Sequence, residues 1–293
     1  MVLRSFTEGI RNTARRPKLI LLLWLTGLAI AALLAIPATF AIEAFAHVLP
    51  EGNPDIWKTP LHQTVFWELL IQIRSAFGAT FLSLLWVLPL VWIWKVAYAV
   101  GLYHTFRPET PGAFREGVAR YWSKGMALSI RFLILSIGTQ LFLIIVSMVL
   151  GFTIQGERAL FWLFAVIWPI LAISAYALLA LFQDYARVAM VLEDISPKVA
   201  FRNGLRFPFR YGNASKLFLL WFAIMLFVGV LPNILELRFG FASPTASWIG
   251  FLLTQILLFI RAGAIVGWHN SNVVFYTAAR FYDEAEQTKQ NPN

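Results

Sequence analysis

Apolar runs about as long as a bilayer is thick alternate along this chain with short, polar, basic stretches. The runs are Leu19 to Ala46, Ala76 to Tyr103, Ala127 to Ile154, Ala159 to Phe182, Leu217 to Leu237 and Trp248 to Thr277. Each reaches the ~20 residues that a helix needs to cross ~30 Å of hydrocarbon. They are continuously apolar rather than alternating, and unpaired backbone is too costly in lipid, so helices rather than strands are expected. The pattern predicts six transmembrane helices.

The polar stretches between them repeat. Phe6, Glu8, Gly9 and Ile10 return as Phe114, Glu116, Gly117 and Val118, and again as Phe201, Asn203, Gly204 and Leu205. Ser5, Thr110 and Ser196 are candidate N-caps, Ser5 and Glu8 form a capping box, and Pro111 and Pro197 suit the first helical position. Phe and the aliphatic residue four positions on share a helix face. Arg11 and Arg15 in the first copy, and Arg206 and Arg210 in the third, follow at fixed offsets. In the middle copy Ala119 and Ser123 take those places, and the charge sits at Arg115, Arg120 and Lys124. Pro208 should kink or end the third helix near Phe207. Each copy reads as an amphipathic helix lying in the cytoplasmic interface, with Phe in the acyl boundary and arginines among phosphates. Each also opens a helical hairpin. The expected fold is therefore an all-α polytopic membrane protein, one domain over 1–293, built of three hairpin repeats (about 5–103, 110–182 and 196–277) with a polar cytoplasmic tail at 278–293.

Composition agrees: 59% of residues are hydrophobic, 13% are charged, and mean hydropathy is +0.69, far from a soluble domain. Basic residues decide the expected orientation, because short Lys/Arg-rich flanks stay cytoplasmic. Eighteen fall in the segments before, between and after the hairpins, against four (Lys58, Arg74, Arg158, Arg238) on the other side. Both termini are thus expected in the cytoplasm, and the net charge of +9 reads as a topology signal. Nucleic acid is not expected as a partner, since no nucleic-acid module surrounds the basic residues. Ala44-Phe45-Ala46 has the form of a signal-peptidase site, but the apolar run before it exceeds the usual ~7–15 residues. Many of the 12 tryptophans (Trp24, Trp57, Trp67, Trp122, Trp162, Trp221, Trp248) fall near span ends, which suits interfacial anchoring. Residues 64–75 have the spacing of a helix lying on the outer leaflet.

Catalytic chemistry is not indicated. With no cysteine there can be no disulfide or thiol catalysis, and the zinc-protease, nucleophile-elbow, Walker and dinucleotide motifs are missing. His47 and His62 share the outer loop with Glu51, Asp55 and Glu68, without the spacing of a helical ligand pair. His269 and Ser271, two apart, point to different helix faces. No catalytic, cofactor or metal site is expected. What remains is the polar residues inside spans, which are costly in lipid and so are functional candidates: Arg261, Lys95, Asp184, Gln140, Gln255 and His269. Arg261 is expected to face the protein interior and bond polar groups there. Pro37, Pro89, Pro169 and Pro232 interrupt four spans.

The stretch "DYARVAMVLEDISPKVAFRNGLRFPFRYGNASKLFLLW", residues 184–221, carries a resemblance. A span exit, an acidic "LED" turn, an Ala-rich amphipathic helix and re-entry resemble the membrane domain fused to bacterial glycerophosphodiester phosphodiesterases, and related six-helix families. The resemblance implies a fold and an inner (plasma) membrane location, not a reaction, and no segment here is long enough for the phosphodiesterase barrel. The expected function is non-enzymatic: a multi-pass interaction, accessory or lipid-homeostasis protein. Its expected partners are the bilayer, anionic phospholipid headgroups and a membrane-protein partner. The alternative is a transporter or permease for a small solute or lipid.

Overall fold

The structure is a computed structural model, and it describes residues 1–46, 85–108, 111–153, 156–239 and 244–290. Among these every regular element is helical: α1 (Val2–Ala14), α2 (Pro17–Ala46), α3 (Leu85–Thr105), α4 (Phe114–Thr153), α5 (Glu157–Trp162), α6 (Trp168–Leu192), α7 (Pro197–Arg210), α8 (Gly212–Phe239) and α9 (Pro244–Gln290). A π-turn, Leu163–Ile167, joins α5 to α6. It directly precedes Pro169, whose missing N–H leaves the carbonyl four residues back without its usual partner.

Among the described residues, five helices are long and apolar enough to cross a membrane, and six if α1 and the start of α2 (Val2–Ala14 with Pro17–Leu33) count as one bent span. The protein is therefore an all-helical, multi-pass membrane protein by length and composition. The outer-leaflet helix expected at 64–75, and the loop containing His47, His62, Glu51, Asp55 and Glu68, lie outside the described residues, as does Thr110.

The chain divides into two units, Leu21–Lys95 and the remainder, Met1–Ile20 with Val96–Asn293. In the smaller unit the described residues are most of α2 and the first half of α3. Lys95 is exposed there.

In the larger unit the core lies at one level of three helices. Val96–Phe106 of α3 is buried throughout, as are most of Leu181–Val191 of α6 and much of Val266–Ala279 of α9. Tyr103 stacks on His269 at 5.2 Å, tying α3 to α9, and Asn272 of α9 reaches Asp184 of α6. Farther along the helices the picture inverts. Ile134, Phe142 and Phe152 of α4 and Ile173 of α6 are all more than half exposed. A broad apolar surface of this kind marks contact with lipid or another protein.

Several local expectations are corrected. Helix α1 starts at Val2 with Met1 as its N-cap, so Ser5 lies inside the helix, buried, and Glu8 pairs with Arg4 at 2.8 Å instead of closing a capping box. In the middle copy no separate interfacial helix forms, because Phe114 opens a helix that runs 40 residues to Thr153. Pro111 precedes that helix and is not its first residue. Ser196 and Pro197 do start α7, which ends two residues beyond Pro208, at Arg210. Residues 278–290 continue α9.

Candidate functional site

Three glycines explain how the short basic segments attach. A Cβ on Gly9 would run into Ser271 of α9, on Gly117 into His104 of α3, and on Gly204 into Ala186 of α6. Only hydrogen fits at each place, so α1, the start of α4, and α7 each press backbone against the buried level of one inner helix. The neighbouring phenylalanines follow them inward. Phe6 lies 4.9 Å from Trp221, Phe114 lies 5.7 Å from Tyr98, and Phe201 lies 4.8 Å from Phe132. These rings are half-buried against protein, not freely presented to an acyl boundary. Trp221 is likewise no interfacial anchor: it is 2% exposed, under Phe6 and beside Gly267.

Between the inner helices sits a layer of buried polar groups. Asp184 and Arg187, one turn apart on α6, are both nine-tenths buried. Asp184 accepts a 3.4 Å hydrogen bond from Asn272 Nδ2, and Arg187 donates to Ser129 Oγ of α4 at 3.1 Å. The hydroxyls of Tyr103 and Tyr185, Arg187 Nε and Asn272 Oδ1 have no partner among the described residues. Both charges are buried, and the Arg187 guanidinium is only partly satisfied, a costly arrangement. His269 belongs to this layer through Tyr103, and its Nδ1 lies 3.0 Å from Ile265 O.

The polar spans end in charge clusters. Asp194, in the turn after α6, holds a left-handed φ of 50°, which an Asp tolerates better than most residues. Its carboxylate accepts from Lys124 Nζ at 2.7 Å and Arg120 at 2.5 Å. The Lys124 hydrogen bond, then that of Arg120, holds the Asp194 carboxyl below the usual carboxylate range. Glu193 accepts from Tyr276 Oη at 2.6 Å and Arg280 at 2.8 Å.

A third place lacks this balance. Helix α1, the end of α3 and the polar half of α9 enclose an open cleft of about 790 Å³. Arg4, Arg15, Arg16 and Arg107 line it, with Glu8 as the one acidic residue among its described walls. Val274 and Phe281 give it an apolar side. Arg16 is fixed by a 2.8 Å bond to Thr105 O and lies 5.1 Å from the Phe106 ring centre. Arg107 donates to Leu192 O at 2.8 Å. The Arg15 side chain, at the C-cap of α1, is exposed and has no hydrogen bond or ion pair among the described residues.

Of the sequence-derived candidates, the structure joins Asp184 and His269 to one layer and leaves the others out of it. Gln140 and Gln255 are half-buried on α4 and α9, and Gln255 Oε1 has no partner among the described residues. Arg261 overturns the inward reading: its side chain is exposed, with no hydrogen bond or ion pair among the described residues. Its position on α9 turns it away from the face that carries Ala262 and Val266 into the core. Arg187, Ser129 and Asn272 each stand at a span end where a polar residue is ordinary, so the sequence pattern does not mark them. A legible signal existed in Asp184 and Arg187, opposite charges three apart on an Ala-rich helix. No group of metal-ligating residues occurs among the described residues. Compared with protein-family models, curated proteins and solved structures, the chain matches none.

Proposed function

We propose that this is a non-enzymatic multi-pass protein of a bacterial inner membrane. Its glycine-docked basic segments engage anionic headgroups at the cytoplasmic face, in an accessory or lipid-homeostasis role. The observation that carries the reading is the arginine-rich cleft between α1 and α9, open on one side and apolar on another. Guanidinium groups bind phosphate through paired donors, and a basic, partly apolar surface beside apolar spans suits lipid. The recurrent Gly9, Gly117 and Gly204 contacts support a threefold hairpin repeat. Closure of the third repeat on the first through α9 and α1 supports it too. The likeness to the membrane domain of glycerophosphodiester phosphodiesterases is part of the same proposal.

A second reading, a transporter, draws on one observation: the buried charges Asp184 and Arg187 in the interior, with Arg187 Nε unpartnered among the described residues. Polar groups at such positions mark solute pathways in many membrane proteins. Two measurements separate the readings. Purification in mild detergent with mass spectrometry of co-purifying molecules should recover anionic phospholipid or a stoichiometric protein. Reconstituted vesicles should show no solute flux above empty ones. Flux that Asp184→Asn abolishes in a folded protein makes it a transporter instead. The orientation is tested by cysteines at positions 55 and 287, which should react from opposite sides of the membrane.

A further inference from the structure

Comparing the three glycine-docked places isolates one that is chemically incomplete. Where the start of α4 docks on α3, Arg120 and Lys124 meet Asp194 from the end of α6. Where α7 docks on α6, Tyr276 packs on Phe207 at 4.8 Å, and Tyr276 and Arg280 meet Glu193. Arg120 and Lys124 in the first place, and Arg280 of α9 in the second, thus find a carboxylate within the protein. Where α1 docks on α9, the arriving chain end is that of α3, and it contributes Arg107 rather than an acid. Four arginines then face one glutamate, and that glutamate is already paired with Arg4. Arg16 and Arg107 are pinned by carbonyls, each through one of five N–H donors, so the remaining donors are pre-oriented at little further entropic cost.

We propose that this cleft binds one phosphate-bearing amphiphile, its phosphate held by Arg15, Arg16 and Arg107 and its apolar part along Val274 and Phe281. The ligand supplies the anionic partner that Arg15, Arg16 and Arg107 lack among the described residues, and it ties the first helix to the last. At about 790 Å³ the cleft lies in the ~300–1,000 Å³ range of small-molecule sites. A phosphomonoester or phosphodiester offers at least two oxygens to the guanidinium forks, and the apolar wall discriminates against bare phosphate. This rests on the reading of the chain as a lipid-engaging membrane protein, and it adds the location and chemistry of a single site.

The test uses the full chain in mild detergent, mixed with dioleoyl phosphatidylglycerol, phosphatidic acid and phosphatidylcholine, and observed by native mass spectrometry. One anionic phospholipid should be retained per chain in preference to phosphatidylcholine. Arg15→Glu should lower that retention by about tenfold, the loss of a charge-assisted contact, without unfolding a protein in which Arg15 has no described partner. Arg11→Glu makes the same charge change on the same helix outside the cleft and should leave retention intact. In a second arm, millimolar inorganic phosphate and a soluble phosphomonoester are tested by thermal unfolding. Stabilisation there that depends on Arg15, with no lipid retained, keeps the phosphate site and removes its lipid source. Equal losses in Arg15→Glu and Arg11→Glu, or no phosphate-bearing ligand in either arm, overturn the site. Solute flux in vesicles by a protein that still retains lipid through Arg15 removes the accessory function and leaves the site standing.

Discussion

Replacing Gly204 by alanine puts one methyl group where α7 meets α6. The new Cβ would stand 2.6 Å from Phe182 O and 2.8 Å from Ala186 Cα, and closer still to Ala186 Cβ. Two of these three atoms are backbone and the third is fixed to it, so no rotamer change relieves the clash and α7 must slide off α6. Overpacking of this kind costs about 1–3 kcal/mol, and the rigid neighbours place it in the upper half. Helix propensity works the other way, by up to about 1 kcal/mol in favour of alanine. That gain is shared by Gly229, which sits inside α8 with nothing within 4 Å of its Cβ position, so comparing the two variants cancels it. Equilibrium unfolding in a denaturing detergent, followed by tryptophan fluorescence, should place Gly204→Ala below Gly229→Ala by about 2–3 kcal/mol. If the two variants unfold together, the glycine does not determine the docking of α7.

Three further outcomes follow from the charges. The carboxyl of Asp194 is held below its unfolded value by Lys124 and Arg120, so its stabilising contribution is present above the unfolded pKa of ~3.9. It is lost as pH falls through the lower folded pKa; acid unfolding monitored by far-UV circular dichroism should thus show a step below about pH 4 that Asp194→Asn removes. In the interior, Asp184→Asn or Arg187→Gln alone leaves one buried charge uncompensated and should cost about 3–5 kcal/mol. The double variant should cost less than the sum, and strict additivity in the cycle would show that the two groups do not interact. Finally, Arg261→Leu should leave stability unchanged or raised, because the exposed guanidinium has no described partner; a destabilised variant would mean that Arg261 bonds something outside the described chain.

The helices were legible because burying backbone in hydrocarbon demands long apolar runs, and such runs cannot hide in a sequence. Recurrence of Phe-x-[Glu/Asn]-Gly was legible too, but the purpose of its residues was not. Amphipathic spacing alone cannot tell a ring that faces lipid from one that faces protein, so Phe6 and Phe201 were placed in the membrane when they lie on Trp221 and Phe132. The decisive residue in the motif is the glycine, whose role depends on how closely a second helix approaches. The depth of Arg261 could be counted along a straight helix, whereas its facing depends on the rotation of α9 about its own axis. That rotation is set by the packing of Ala262 and Val266. The basic cleft was invisible for a different reason: Arg15 and Arg107 are separated by most of a hairpin, and only the docking of α1 on α9 makes them neighbours.

That docking also orders the assembly of the molecule. Asn270 donates to Gly9 O at 3.2 Å across a sequence separation of 261 residues, and Gly9 meets Ser271 in the same place. The other two glycine contacts join segments less than 20 residues apart, Gly204 with Ala186 and Gly117 with His104, so each can form as soon as its own turn is made. Loop-closure entropy rises only as the logarithm of length, so the long closure is affordable in equilibrium but must come last in time, once the final span is in place. Until then α1 is a short, basic, amphipathic helix with no protein partner, and a 13-residue helix of that kind is marginal unless a surface supports it. On the proposed lipid-engaging reading, the membrane interface would supply that surface, and Arg15 would be carried into the cleft when α1 docks. On the same reading, a headgroup bound to Arg15 before docking would stay bound in the closed protein, and the proposed ligand of the cleft would then take part in folding as well as in the finished structure.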